Sequence, residues 1–226
     1  MTSTEKKILD CWSRNLDPWV YAVQNDEIES RVAVTNQAIV DAVLACNPVT
    51  LLDIGCGEGW LIRALEAYGI ICTGTDAISG FRKHVVDAGG KFLLLTHEEV
   101  NSQTIEQQFD VIVCNFSLLG KDSVNQVVAE ARHLLNENGS LLIQTLHPDD
   151  FDNGKGDGWR DGSWDNFSED FSDPAPWYFR TLKSWEKLLA EAGFSSIKVA
   201  EPGYPDTNGN RNTHRVSCLF SASFMK

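Results

Sequence analysis

Apolar positions along the chain follow two alternating rhythms. Over residues 28–45, "IESRVAVTNQAIVDAVLA", Ile28, Val32, Ile39, Val43 and Leu44 recur at helical spacing, and Asn47-Pro48 ends the run. "VTLLDI" (49–54) is a short unbroken apolar run of strand length, followed by glycines and a second helical pattern, "EGWLIRALEAYG" (58–69). The exchange then repeats. A strand is predicted at 70–76, a helix at 79–90, strands at 91–95 and 109–116, a helix at 122–139 ending at Gly139, and a strand at 140–146. "TLKSWEKLLAEAGF" (181–194) reads as a helix stopped at Gly193. "SSIKVAEP" (195–202) and "RVSCLFSASF" (215–224) read as two last strands, joined without a helix across "GYPDTNGNRNT".

Strands that are apolar throughout belong to a sheet covered on both faces. The predicted fold is therefore α/β: a doubly wound, mostly parallel seven-stranded sheet with helices on both faces and an antiparallel last strand. No internal repeat or low-complexity linker interrupts it, so residues 1–226 are expected to form one domain.

The rhythm breaks at 147–180, where Gly, Asp and Pro dominate and Trp159, Trp164, Trp177 and Tyr178 punctuate a polar segment. Connections of this length are commonly functional, and aromatic side chains in them bury against something. A lid-like insertion is expected, with those four aromatics on its inner face. The N-terminal segment 1–27 carries Trp12, Trp19 and Tyr21 and is expected to cap the same region. Nine acids lie between Asp149 and Asp173, but Gly residues fall where a calcium loop needs oxygen ligands, so a solvated acidic loop is expected.

The formal net charge of -13 argues against nucleic acid and anionic membranes as partners, since phosphate binding needs a basic face. "MTSTEKKILDCW" has no apolar run after its lysines, and no stretch has the length of a membrane span. The six cysteines include no CxxC and the five histidines no HxxH or HxxxH, so reduced thiols, a cytoplasmic location and no metal are expected.

The chemistry concentrates at "LLDIGCGEGWL" (51–61). Gly55, Gly57 and Gly59 follow a strand ending in Asp53 and Ile54, at the end of an open α/β sheet where ligands bind. A dinucleotide fingerprint would place its third Gly at position 60, which is Trp, and the Gly-Lys-Ser/Thr of a phosphate loop is absent. The turn suits a nucleoside-containing ligand rather than a pyrophosphate.

"LLDIGCGEG" resembles the first motif of class I S-adenosylmethionine-dependent methyltransferases. The remaining motifs follow in the family's order: Asp76 ending the second strand, "FDVIVCNFSLLG" at the fourth, "HLLNENGSLLI" leading into the fifth, and "LLAEAGFSSIKV" late in the chain. The resemblance covers residues 28–146 and 181–224 and implies S-adenosyl-L-methionine as cofactor. It would place Asp53, Gly55, Cys56 and Gly57 around the methionine part, Asp76 on the ribose hydroxyls, and Ala77 and Ile78 beside the adenine. His97 or Glu98, in "THEEV", would stand at the adenine's edge, where the family more often has Asp-Ala. Asn115 and Phe116 would lie near the sulfonium, and Arg31 would meet the cofactor carboxylate. Plainer roles stay open: packing for His97, a turn cap for Asn115, a surface charge for Arg31.

Methyl transfer is an in-line displacement, and a base is needed only if the acceptor must lose a proton. His147, after the fifth strand, is the candidate base, or else a turn residue before Pro148. "NFSL" stands where amino-group methyltransferases carry Asn/Asp-Pro-Pro-Tyr, which counts against a nucleic-acid base and leaves a small-molecule acceptor. The alternatives are a nicotinamide-dependent oxidoreductase on a related fold and a non-catalytic module that binds S-adenosyl compounds.

Overall fold

The computed structural model describes residues 2–151, 154–204 and 214–224. Asp152 and most of the connection expected between the last two strands lie outside the described residues.

The chain opens with two helices, α1 (Ser3–Arg14) and α2 (Leu16–Gln24), in the segment expected only as a cap. Their start is written in "TSTE": the Thr2 hydroxyl accepts the Glu5 N–H and the Glu5 carboxylate accepts the Thr2 N–H, a reciprocal cap. A π-helical turn, Arg31–Thr35, leads into α3 (Asn36–Ala45). Then follow β1 (Thr50–Ile54), α4 (Trp60–Glu66), β2 (Ile71–Asp76), α5 (Arg82–Asp87), β3 (Lys91–Leu94), β4 (Phe109–Asn115), α6 (Asp122–Leu134) and β5 (Leu135–Leu146). A small hairpin of β6 (Gly158–Arg160) and β7 (Trp177–Phe179) lies inside the insertion. The chain continues through α7 (Leu182–Glu191), β8 (Ser196–Ala200), the paired β9 (Gly203–Tyr204) and β10 (His214–Arg215), and β11 (Ser217–Ser223).

The main sheet has seven strands in the order β3-β2-β1-β4-β5-β11-β8. The pairs from β3 through β5 are parallel, and β11 runs antiparallel to both neighbours. This is the doubly wound sheet that the unbroken apolar runs predict. One face packs on α6 and α7 through residues such as Leu52, Ile112 and Phe220, the other on α3, α4 and α5 through Leu51, Val113 and Leu142. Fully burying a side chain such as Leu51 or Leu52 contributes about 1.5–3 kcal/mol. The chain leaves β1 toward β2 on one side and returns to β4 on the other, so the strand order reverses at β1, the point where open α/β sheets bind ligands at their carboxyl ends.

The helix expected to reach Gly139 stops at Leu134, and the chain enters β5 at once. Leu135 pairs with Phe109, the Gln108 amide donates to Leu135 O, and Asn136 donates to Asp110 Oδ1 at 2.7 Å. These contacts with the start of β4 pull the segment out of the helix, which periodicity alone cannot register.

Candidate active site

The turn after β1 is held in a conformation other residues resist. Gly55, Gly57 and Gly59 have φ of +75°, +54° and +83°. A Cβ at Gly55 would lie 2.3 Å from the Ser117 Cβ, and one at Gly59 would lie 2.8 Å from Val85 Cγ2, so these two are needed for packing as well. Gly57 differs: the nearest atom to its absent Cβ is the Trp19 indole nitrogen, 3.6 Å away. Its N–H donates to Asp76 Oδ2 at 3.0 Å, while Asp76 Oδ1 accepts the Ile78 N–H at 2.9 Å. One carboxylate thereby ties together the loops after β1 and β2, with Ala77 half-buried beside it.

Alternation along the strands sends Asp53, Asn115 and Gln144 to the face that carries Leu51, Val113 and Leu142. Asn115 and Gln144 are register partners on β4 and β5. Gln144 donates to Thr35 O at 3.0 Å, under the π-helical turn. Four buried polar atoms there have no partner among the described residues: Asp53 Oδ1, Asn115 Oδ1, Gln144 Oε1 and, on the π-helical turn, Arg31 Nη2. Buried polar groups are nearly always paired, so these are atoms that a ligand or ordered water completes. Phe116 adds a second anomaly: it has φ +54°, with its N–H on Gln144 O at 2.8 Å. A non-glycine residue held there costs about 1–3 kcal/mol and persists mainly at functional sites.

The electrostatics are acidic, with Arg31 and Arg63 as the nearby cations. Burial, then the neighbouring Asp76 and Glu58, raise the Asp53 pKa to about 7. Burial also raises that of Asp76, against the opposing pull of the N–H groups it accepts. Glu58 is fully buried, accepts the Trp60 N–H at 2.9 Å and forms an ion pair with Arg63. Arg31 is sandwiched between two indoles, its guanidinium carbon 5.3 Å from the Trp19 ring centre and 5.0 Å from that of Trp60. Burial lowers its pKa to about 10, opposed by Glu58 and Asp26, so it remains a cation at neutral pH. Arg31 is thus half-buried, its guanidinium held against two indoles and not a freely solvated surface charge.

Spacing missed Trp60, Glu58 and Gln144. Trp60 had a signal: a bulky ring in the slot where a dinucleotide fingerprint needs glycine. Trp19 was expected only as part of the N-terminal cap, and the fold sets its ring against the Arg31 guanidinium.

The N-terminal helices and the insertion close on each other. Trp12 packs edge-on against Trp19 at 4.9 Å and Trp164 at 5.8 Å, and Trp164 leans on Phe171 at 4.7 Å. The Asn15 amide donates to Ser172 O and accepts the Ser172 N–H, both at 2.8 Å. Trp164 thus packs between the N-terminal helix and Phe171. Trp159 lies on the outer hairpin against Tyr178 and is exposed, Tyr21 is exposed, and Trp177 packs on Phe151 and Phe179.

His97 and Glu98 lie in a 3-10 turn, His97–Glu99, against α6, where Gln126 donates to Glu98 O at 2.8 Å. Burial lowers the His97 pKa, against Glu98 and Glu5, so its ring is neutral at pH 7. His147 is buried, with Nε2 2.8 Å from Glu201 Oε1 and Nδ1 accepting the Asp149 N–H at 3.2 Å. Neither ring nitrogen has a lone pair left for an acceptor's proton in this arrangement, and the ring caps the turn Pro148–Asp150.

Sheet order and site together define a doubly wound α/β protein with a glycine turn and buried acids at its switch point. Residues 28–199 match the methyltransferase domain family, and the chain belongs to it. Among curated relatives it is 31% identical over 111 residues to the ubiquinone biosynthesis O-methyltransferase of Pasteurella multocida, covering 43% of this chain and 46% of that one. It is 30% identical over 125 residues to the malonyl-[acyl-carrier protein] O-methyltransferase of Halalkalibacterium halodurans, covering 46% and 42%. The match thus spans under half the length of either relative. The fold is similar to that of an S-adenosylmethionine-dependent methyltransferase from Clostridium acetobutylicum, with a TM-score of 0.62 at 15% identity over 91% of this chain and 98% of that one. Among the described residues no helix is long and apolar enough to cross a membrane.

Proposed function

We propose that the chain binds S-adenosyl-L-methionine at the carboxyl ends of β1, β2 and β4 and methylates a small-molecule acceptor. The observation that carries this reading is the cluster of unpartnered buried polar atoms of opposite character above the glycine turn. Arg31 Nη2 is a donor and Asp53 Oδ1 an acceptor. That pair suits the carboxylate and ammonium of an amino-acid moiety, with Gly55, Cys56 and Gly57 letting it approach the backbone. Asp76, already fixed by two N–H groups, takes the ribose hydroxyls, Ala77 and Ile78 flank the adenine, and His97 and Glu98 stand at its edge. Asn115 and Phe116 border the end where transfer occurs.

When bound, the cofactor supplies a methyl group already activated on a sulfonium. The protein's work is then alignment and exclusion of water. The Trp19–Arg31–Trp60 stack and the Trp12–Trp164 contact serve the second task, closing α2 and the insertion over the turn. No general base is assigned: His147, expected in that role, holds Glu201 and the Asp149 N–H on the opposite face of the sheet. An acidic lid favours a neutral or cationic acceptor, and both curated relatives are named O-methyltransferases. A nicotinamide oxidoreductase is the weaker reading, because Trp60 fills the slot of the third glycine.

The test is calorimetric titration of the full chain with S-adenosyl-L-methionine and S-adenosylhomocysteine, beside NADH and the Asp76→Ala variant. Binding of the S-adenosyl compounds, weakened about tenfold to a hundredfold in the variant, is expected. Folded protein that binds neither would end the proposal.

A further inference from the structure

On the other face of the sheet, away from the glycine turn, three side chains from adjacent strand ends converge. His147 follows β5, Cys218 lies on β11 and Glu201 follows β8, and β11 sits between the other two. The His147, Glu201 and Cys218 ligand atoms all lie within 4.8 Å of one another. Cys218 and His147 are buried, while the Glu201 side chain is 35% exposed and leaves a way in from solvent. We infer that His147, Cys218 and Glu201 form a binding site for a divalent cation of the zinc class, with water in the fourth position.

The donor set is the argument. One imidazole nitrogen, one thiolate and one carboxylate are the ligands that tetrahedral zinc accepts, and three protein ligands with one open position are a recurrent arrangement. Tetrahedral coordination at bond lengths near 2.0–2.3 Å places ligand atoms about 3.3–3.7 Å apart, so the widest separation closes by about 1 Å and the His147–Glu201 pair opens by about half of that. The surroundings fit a cation as well. Arg215 bridges Glu201 at 2.7 Å and Asp149 at 3.2 Å. With Cys218 as thiolate, three anionic groups stand against one guanidinium, leaving two negative charges for a divalent ion to neutralise.

Asp149 also supplies an outer partner. Its Oδ2 lies 4.0 Å from His147 Nδ1, on the side of the ring opposite Glu201. On binding, the Cys218 thiol gives its proton to solvent as the sulfur–metal bond forms. The His147 proton moves by way of solvent from Nε2 to Nδ1, where it faces Asp149. The Asp149 N–H gives up its bond to Nδ1, and the result is the carboxylate–histidine–metal arrangement that orients imidazole ligands. The absence of HxxH or CxxC spacing says nothing against such a site, because its ligands come from positions 147, 201 and 218 and meet only through the sheet. Bound there, the ion would clamp three strand ends at the root of the insertion. The inference does not depend on the methyltransferase reading.

The experiment titrates tag-free, metal-free full-length protein with Co2+ and then competes with Zn2+. One equivalent of cobalt is expected, with a thiolate-to-cobalt charge-transfer band and the visible bands of four-coordinate cobalt, displaced by zinc. Cys46→Ser, which alters the exposed thiol, should leave the spectrum unchanged, and Cys218→Ser should abolish the charge-transfer band. Asp149→Asn should keep the band and weaken binding by roughly 10–100-fold. Glu201→Gln, on a half-exposed side chain, should also keep the band with weaker binding, which keeps the test informative if Cys218→Ser does not fold. A folded wild-type protein without the band, a band that survives in Cys218→Ser, or one lost in Cys46→Ser would overturn the inference.

Discussion

Replacing Arg31 by Gln probes the proposed cofactor site most directly, because the proposed binding mode sets that side chain at one end of the ligand. The guanidinium lies between Trp19 and Trp60, keeps its charge at neutral pH, and among the described residues holds a single hydrogen bond, from Nε to Asn36 Oδ1 at 3.3 Å. Its Nη2 is the unpartnered atom. If that atom meets a carboxylate, the substitution removes a charge-assisted hydrogen bond of about 1.5–3 kcal/mol, a loss of roughly 10- to 150-fold in affinity. S-adenosylhomocysteine, which carries the carboxylate, should weaken by that factor in calorimetry. 5′-Methylthioadenosine, which keeps the nucleoside and lacks the amino-acid end, should bind the variant as it binds the wild type. Two ring contacts are also lost, each about 0.5–1 kcal/mol or more when desolvated, so the melting temperature should fall by a few degrees. Equal weakening of both ligands would refute the reasoning, since it would mean that Arg31 supports the fold of the site and not one end of the cofactor.

Three further outcomes follow from the same geometry. Asp53 has its folded pKa raised to about 7 from 3.8, so its protonated form favours folding below pH 4 and that contribution is lost as pH rises to about 7. The gap is worth on the order of 4 kcal/mol, and Asp53→Asn should flatten the pH dependence of the ligand-free protein's melting and raise its melting temperature at pH 8. An unchanged pH profile would remove Asp53 from that account. Glu5 behaves in the opposite sense. Burial would raise its pKa, but hydrogen bonds from Ser123 and Thr2 overcome that and hold it at about 2, so its contribution is complete above pH 4.5 and lost as pH falls toward 2. Glu5→Gln should cost about 0.5–2 kcal/mol in urea unfolding at pH 7 and nothing at pH 2, since the carboxylate accepts N–H groups at the starts of both α1 and α6. Trp19→Ala should weaken S-adenosylhomocysteine binding and quicken hydrogen exchange at the Gly57 amide, and unchanged exchange would mean that α2 does not close the turn.

Legibility followed the range of the interactions. β1 and β4 appear in the sequence as apolar runs because both faces of each are buried, and no neighbour's identity is needed to see that. The helical start at "TSTE" was equally local, and the pattern of hydrophobic positions passed over it because caps are polar. The end of α6 at Leu134 was not local, since Phe109 and Asp110 decide it from the strand beside.

The same division runs through the site. The sequence by itself determined the parallel α/β order, the bare backbone at Gly55, Gly57 and Gly59, and the acid at Asp76, because each depends on backbone geometry or burial within a few residues. Only the tertiary structure decided that Arg31 is a cation held against two indoles and not a freely solvated charge, that Gln144 shares the site with Asn115, and that His147 turns to Glu201. Those outcomes depend on which elements cross above which strand ends, and a chain carries that information in the packing of distant residues, not in the spacing of near ones.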